Sequence, residues 1–211
     1  MLDRYFGADV QARVADSVRR AEALSRGQIV PAVVEKSDGY PEARYRGALL
    51  LAALATAAVL AFGLPLTLAE LPLVQLVAGA IGAALSLLDP VERLLIGRRA
   101  MDEAVRARAM RAFREYGLDR TREGTGVLVF ASLFEREAAV LGDHAIHARM
   151  GDDWTRAVEA LSAGMRRGDP GAGFVDAIAV CGARLAEHFP REPGAAPPAN
   201  ELEDAIRLSR T

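Results

Sequence analysis

Hydrophobic and polar positions alternate along this chain in three different rhythms. Residues 9–26 place Val10, Val14, Val18, Ala21 and Leu24 on one helical face and their charges on the other. That spacing predicts an amphipathic helix, stopped by Gly27. Residues 28–35 (QIVPAVVE) are apolar on both faces and predict a strand buried between layers. Pro31 argues for an edge position instead, because it has no N–H to give to a ladder. Residues 37–41 read as a loop.

The third rhythm is no alternation at all. Residues 47–69 and 71–88 carry no charge, and Glu70 is the one ionisable side chain between them. Uncharged apolar runs of this length read as membrane-spanning helices, and two in tandem read as a hairpin. At about 1.5 Å per residue each arm reaches roughly 27 Å, close to the thickness of a hydrocarbon core. Arm one runs through Phe62. Arm two begins near Pro72, and the connection 64–71 is a tight turn that holds Glu70 within reach of headgroup water. A soluble hairpin is the competing reading, but helices apolar all round need a surrounding core larger than this chain supplies. Small residues four apart (Ala53, Ala57, Ala61; Ala78, Gly82, Ser86) would let the arms pack closely, or pack against a second copy.

Beyond the hairpin the helical rhythm returns. Asp89-Pro90-Val91-Glu92 is a helix start, with Gly97 as a break, and Met101, Val105, Ala109, Ala112, Phe113 and Tyr116 line the next helix until Gly117. Residues 126–133 and 138–141 predict a β-hairpin across the charged turn Glu135-Arg136-Glu137. Asp152 or Asp153 caps a helix striped by Trp154, Ala157, Val158, Leu161 and Met165. Asp169-Pro170 opens another, striped by Phe174, Ile178, Cys181 and Leu185. Residues 191–199 read as a Pro/Ala linker before a short helix, 201–208, capped by Asn200.

The element order predicts an α/β fold: a small α/β/α sandwich interrupted by a two-helix transmembrane hairpin. Its parts are 1–43 and 90–190 for the soluble domain, 44–89 for the hairpin and 191–211 for the tail. Arg44 and Arg46 precede the hairpin, and Arg93, Arg98, Arg99, Arg106 and Arg108 follow it, while the turn has no Lys or Arg. The positive-inside rule then puts both ends in the cytoplasm. Two further features agree: a lone cysteine, Cys181, and an N-terminus without a basic segment and apolar run, hence no signal peptide. A net charge of −2 makes nucleic acid an unsuitable partner.

For chemistry, Asp143, His144, His147, Asp152 and Asp153 form the densest polar group. The aspartates offer hard oxygen ligands to Ca2+ or Mg2+, and the histidines, three apart, add nitrogen ligands from one face of a turn. The plainer reading makes Asp152 and Asp153 helix caps and leaves the histidines solvated. Asp38, after the first strand, is a candidate for the same edge as Asp143. Cys181 lies in a buried helical stripe, where thiols are inert. Asp119 and Asp169 lack the neighbours of a phosphoryl-accepting nucleophile. There is no Walker loop, His-Glu-x-x-His or Gly-x-Ser-x-Gly.

Gly27-Gln28-Ile29-Val30, the stretch Thr125-Gly126-Val127-Leu128-Val129-Phe130, Val140-Leu141-Gly142-Asp143, Ile146, Gly151-x-x-Trp154 and Gly168-Asp169 occur in an order that resembles the TPM domain family. The likeness covers residues 8–38 and 100–189 and is nearest to a bacterial branch whose domain is split by a membrane hairpin. The resemblance implies an α/β/α sandwich and one of three roles: acid phosphatase activity, calcium binding, or assistance in repair and assembly of membrane complexes. The chain departs from it in lacking an export signal and in the inward direction of its charges.

Two functions follow as expectations. One is a cytoplasmic-face binding, assembly or quality-control module, held in the inner membrane and contacting other membrane proteins or copies of itself. The alternative is a divalent-metal-dependent phosphatase acting near the membrane through Asp143, His147, Asp152 and Asp153.

Overall fold

A computed structural model describes residues 2–151, 154–191 and 202–210. The elements are α1 (Leu2–Tyr5), α2 (Ala8–Glu22), β1 (Gln28–Val34), α3 (Pro41–Ala61), α4 (Glu70–Leu85), α5 (Asp89–Leu95), α6 (Arg98–Glu115), a 3-10 turn (Leu118–Arg120), β2 (Gly126–Ser132), β3 (Glu137–Gly142), α7 (His144–Met150), α8 (Thr155–Arg166), α9 (Pro170–His188) and β4 (Arg207–Ser209). They form two compact units. One joins residues 1–38 to 102–211; the other is 39–101.

The first unit is a mixed α/β domain on a four-stranded sheet of order β3-β2-β1-β4. β1 runs parallel to β2 and β4, and β3 closes the other edge antiparallel. Strand side chains alternate between two cores. Ile29, Val33, Val127 and Val129 pack with Val14 and Val18 of α2, Leu161 of α8 and Phe174 and Ile178 of α9. Val30, Val34, Leu128 and Phe130 pack with Val105, Ala109 and Phe113 of α6. Helices thus cover both faces. On α9, Asp169 Oδ1 accepts the Ala172 N–H at 2.9 Å and Pro170 occupies the first turn, as the sequence predicts.

Three expectations are corrected here. Residues 202–209 do not form a helix: Arg207–Ser209 is a strand on β1. Leu202 and Ile206, four apart, imitate a helical face, but the open edge of β1 offers the backbone a better partner. Asn200 and the linker lie outside the described residues. Pro31 sits in a strand with neighbours on both sides, yet costs no bond. In parallel pairing, successive N–H groups point to alternate neighbours. Gln28 donates to Thr125 on the β2 side, which turns Pro31 toward β4, whose ladder begins only at Ala32. Finally, α2 ends at Glu22, so Leu24 leaves the stripe and is 64% exposed.

Glu22 is the last residue of α2. Its Oε1 accepts the Ile29 N–H at 2.7 Å, on the β1 edge that β4 leaves open. Burial pushes the Glu22 pKa up from 4.5 to about 7; the Ile29 N–H opposes the shift and Asp204 adds to it. A carboxyl that holds its proton more tightly when folded stabilises the fold at low pH. That contribution is complete below about 4.5 and is lost as pH rises through about 7. Glu22→Gln keeps the acceptor and removes the titration. It is expected to be about 2–3 kcal/mol more stable than the parent at pH 8 and nearly equal to it at pH 4. Urea midpoints at the two pH values check this.

The second unit is a helical hairpin. α3 and α4 run antiparallel, with Gln75 Nε2 donating to Thr56 Oγ1 at 2.9 Å midway along. Gly47 and Gly82 meet where the arms cross: a Cβ on Gly82 would lie 2.8 Å from the Gly47 carbonyl carbon. Glu70 Oε2 accepts the Thr67 N–H and hydroxyl, each at 2.7 Å, fixing the start of α4. α5 then turns away from α4 by 108°.

Candidate functional site

Three places in the described residues concentrate either charge or exposed apolar surface: the amino end of the sheet, its carboxyl end, and the hairpin.

At the amino end β3 delivers Asp143 beside the start of β2, with its N–H on the Gly126 carbonyl at 2.9 Å. Asp143 is buried and caps α7. Its Oδ1 accepts the His144 N–H at 2.6 Å and faces His144 Nδ1 at 3.0 Å, while Oδ2 accepts the Thr121 hydroxyl at 3.4 Å. The His144 ring is 80% exposed and lies over Gly124, where a Cβ would come within 2.8 Å of its Nδ1. Gly124 also has φ +64°, so a side chain there is excluded twice. His147 is exposed one turn further on, its N–H bonded to the Asp143 carbonyl at 2.9 Å.

Asp152 and Asp153 lie outside the described residues. A hard cation takes six or more oxygens, and the Asp143 carboxylate already serves donors of its own chain at both oxygens. No group of three or more His, Cys, Asp or Glu suited to a metal ion occurs among the described residues. Of the four expected ligands, Asp143 and His147 are the two described, and they stand one turn apart at the start of α7. Asp143→Ala is expected to cost about 1–2 kcal/mol through the lost cap, with Asp143→Asn recovering most of it. Denaturant midpoints of the three proteins measure both effects.

At the carboxyl end, the usual location of ligands on a parallel sheet, the loops after β1 and β2 are tied together. The Phe134 N–H donates to the Glu35 carbonyl at 2.8 Å, and the Leu133 N–H to Val34 at 3.0 Å. Glu135, expected as part of an exposed charged turn, is 5% exposed. Its Oε1 accepts the Ser37 N–H at 3.0 Å and its Oε2 accepts the Ser132 hydroxyl. Lys36 Nζ lies 4.4 Å above the Phe134 ring. The spacing Ser132-x-x-Glu135 was the available signal, since a carboxylate three residues past a hydroxyl reaches back to it. Asp38 follows β1 at this end. A seven-residue strand, about 20 Å of sheet, separates it from Asp143, so the two do not share an edge.

Among the described residues, neither end brings a nucleophile together with an exposed base. Ser132 is fully buried. Cys181 is also fully buried, and desolvation pushes its thiol up to about 12, against the opposing charge of Arg184. Arg108, counted above among the charges flanking the hairpin, is buried in α6 and paired with Glu115 at 3.2 Å.

The hairpin is different in kind. Of the large apolar side chains exposed in the described residues, all but Leu24, Met110 and Leu208 lie between Tyr45 and Leu94. Leu49, Leu60, Phe62, Leu68 and Leu76 are each at least 70% exposed. By length and composition Pro41–Ala61 qualifies as one membrane-crossing helix; Glu70–Leu85 qualifies only together with the bent α5.

No protein-family model matches the chain, and no curated protein does. Among solved structures the chain is similar to the BA42 protein of the psychrophilic bacterium Bizionia argentinensis, determined by NMR. The TM-score is 0.61 and the identity 19%, over 99% of this chain and 98% of that one. Identity at that level carries the fold alone.

Proposed function

We propose that this chain is a membrane-anchored α/β module of the TPM type. The 39–101 hairpin is its anchor, and the α/β domain is a cytoplasmic-face platform for assembling or maintaining membrane proteins. One observation carries the reading: the concentration of exposed leucines on the hairpin. Burying apolar surface is worth about 25 cal/mol per Å2, and water is the wrong solvent for arms with leucine on every side. Other support comes from the insertion of this unit between β1 and β2 of a sheet with helices on both faces, the architecture that the TPM resemblance implies. The absence of an assembled catalytic group among the described residues favours a binding role over the phosphatase alternative.

The test uses the full chain expressed in a bacterium. Alkaline carbonate should leave it in the membrane pellet. Single cysteines replacing Arg46 or Arg93 should resist a membrane-impermeant thiol reagent in intact cells and react once the cells are opened. Extraction by carbonate would remove the anchor from the reading. Labelling from outside the cell would reverse its orientation.

A further inference from the structure

The short helix α5 belongs to the hairpin unit but not to its arms. It leaves α4 at 108°, so if the arms stand along the bilayer normal, α5 runs close to the membrane plane. Its depth is fixed by two contacts. Arg46 Nη1 donates to the Leu95 carbonyl at 2.8 Å. A Cβ on Gly47 would lie 3.3 Å from Leu95 Cδ1, so Leu95 rests against α3 at that level. Gly47 is where the uncharged stretch begins. α5 therefore sits at the boundary between charge and hydrocarbon.

Its exposed side carries Pro90 and Leu94 beside a single charge, Asp89, at its first position. Pro90 and Leu94, four apart, share one helical face, and Leu87 lies just ahead of the helix. Leu94 is 84% exposed and Leu87 59%, while Glu92 and Ile96 turn inward and are buried. Arg98 and Arg99 follow at once and are exposed.

We propose that α5 is an interfacial foot. It lies flat in the headgroup layer with Leu87, Pro90 and Leu94 at the acyl boundary and the Arg98 and Arg99 guanidinium groups on lipid phosphates. The occupant of this surface is the anionic bilayer itself. A flat helix with an apolar face and flanking arginines binds an interface through both terms at once. The foot also suits the arms: α4, with 16 residues, rises about 24 Å, short of a core of about 30 Å. The proposal rests on the membrane reading above, and its test separates the two.

Cysteine is introduced at Leu94 or at Leu76 in the full chain and labelled with an environment-sensitive fluorophore. The buried Cys181 thiol stays unreactive. The labelled proteins are reconstituted into phosphatidylcholine vesicles, with or without phosphatidylglycerol, carrying a nitroxide high or low on the acyl chain. Position 76 should be quenched most by the deep nitroxide and position 94 by the shallow one. Arg98→Gln with Arg99→Gln should reduce shallow quenching at 94 in phosphatidylglycerol vesicles to its level in phosphatidylcholine alone. Deep quenching at 76 with the water-like emission of the free fluorophore conjugate at 94 would overturn the foot and leave the anchor standing. No quenching at 76 would overturn both. Equal quenching at 94 with and without the arginines would overturn their assignment to phosphate.

Discussion

Leu54→Arg combined with Leu76→Arg should release the chain from membranes. Leu54 is 54% exposed on α3 and Leu76 70% exposed on α4, both within the arms. Neither leucine fills a core, so the exchange asks little of the hairpin's own packing. Each arginine near the centre of a span costs about 2.5–3.5 kcal/mol on insertion scales, about 5–7 kcal/mol for the pair. The double variant should move from the carbonate-resistant pellet to the soluble or aggregated fraction. Leu54→Phe with Leu76→Phe should stay in the membrane. A double-arginine protein that remains carbonate-resistant would show that the leucines face protein rather than lipid.

Phe174→Ala should cost the α/β domain about 3–5 kcal/mol. Phe174 is fully buried on α9, and its ring meets Phe6 edge-on, centroids 5.9 Å apart at 72°. The substitution empties a ring-sized space between the chain's first residues and the core of α2, α8 and α9. Domains of this size hold a margin of only about 5–15 kcal/mol. At roughly 2–4 °C per kcal/mol, the thermal midpoint should fall by about 10 °C. Leu24→Ala is the matched control. The helical spacing of the sequence puts Leu24 on the buried stripe, but its exposure in the structure predicts a change within about 0.5 kcal/mol. Comparable losses in the two variants would mean that α2 continues past Glu22.

What the sequence made legible was local. The strands at 28 and 126, the Asp169-Pro170 helix start and the two apolar arms are each written in a few consecutive residues, and each appears close to where it is expected. What stayed hidden depends on partners distant in the chain. β4 is a strand because β1 has an open edge, and three residues such as Arg207-Leu208-Ser209 cannot announce that themselves. Glu135 is buried because Ser37, from another strand end, donates to it. The surroundings of the candidate site were less legible than the fold. Asp143 caps α7 through its own neighbour His144, but its second partner, Thr121, lies 22 residues away and meets it only in the folded domain. The apolar arms needed no such assembly, because hydropathy is a property of the segment alone.

The insertion of the hairpin between β1 and β2 sets a timetable for biogenesis. Gln28 pairs with Gly126, about a hundred residues later, and β1 meets β4 only near the end of the chain. During synthesis β1 leaves the ribosome first, and the greasy arms follow well before any strand exists to pair with it. On the membrane reading proposed above, commitment of the arms to lipid precedes closure of the sheet, and the first strand waits unpaired while translation continues. Slowing translation after the second arm would lengthen the period in which β1 is open to chaperones, proteases and strands of other chains.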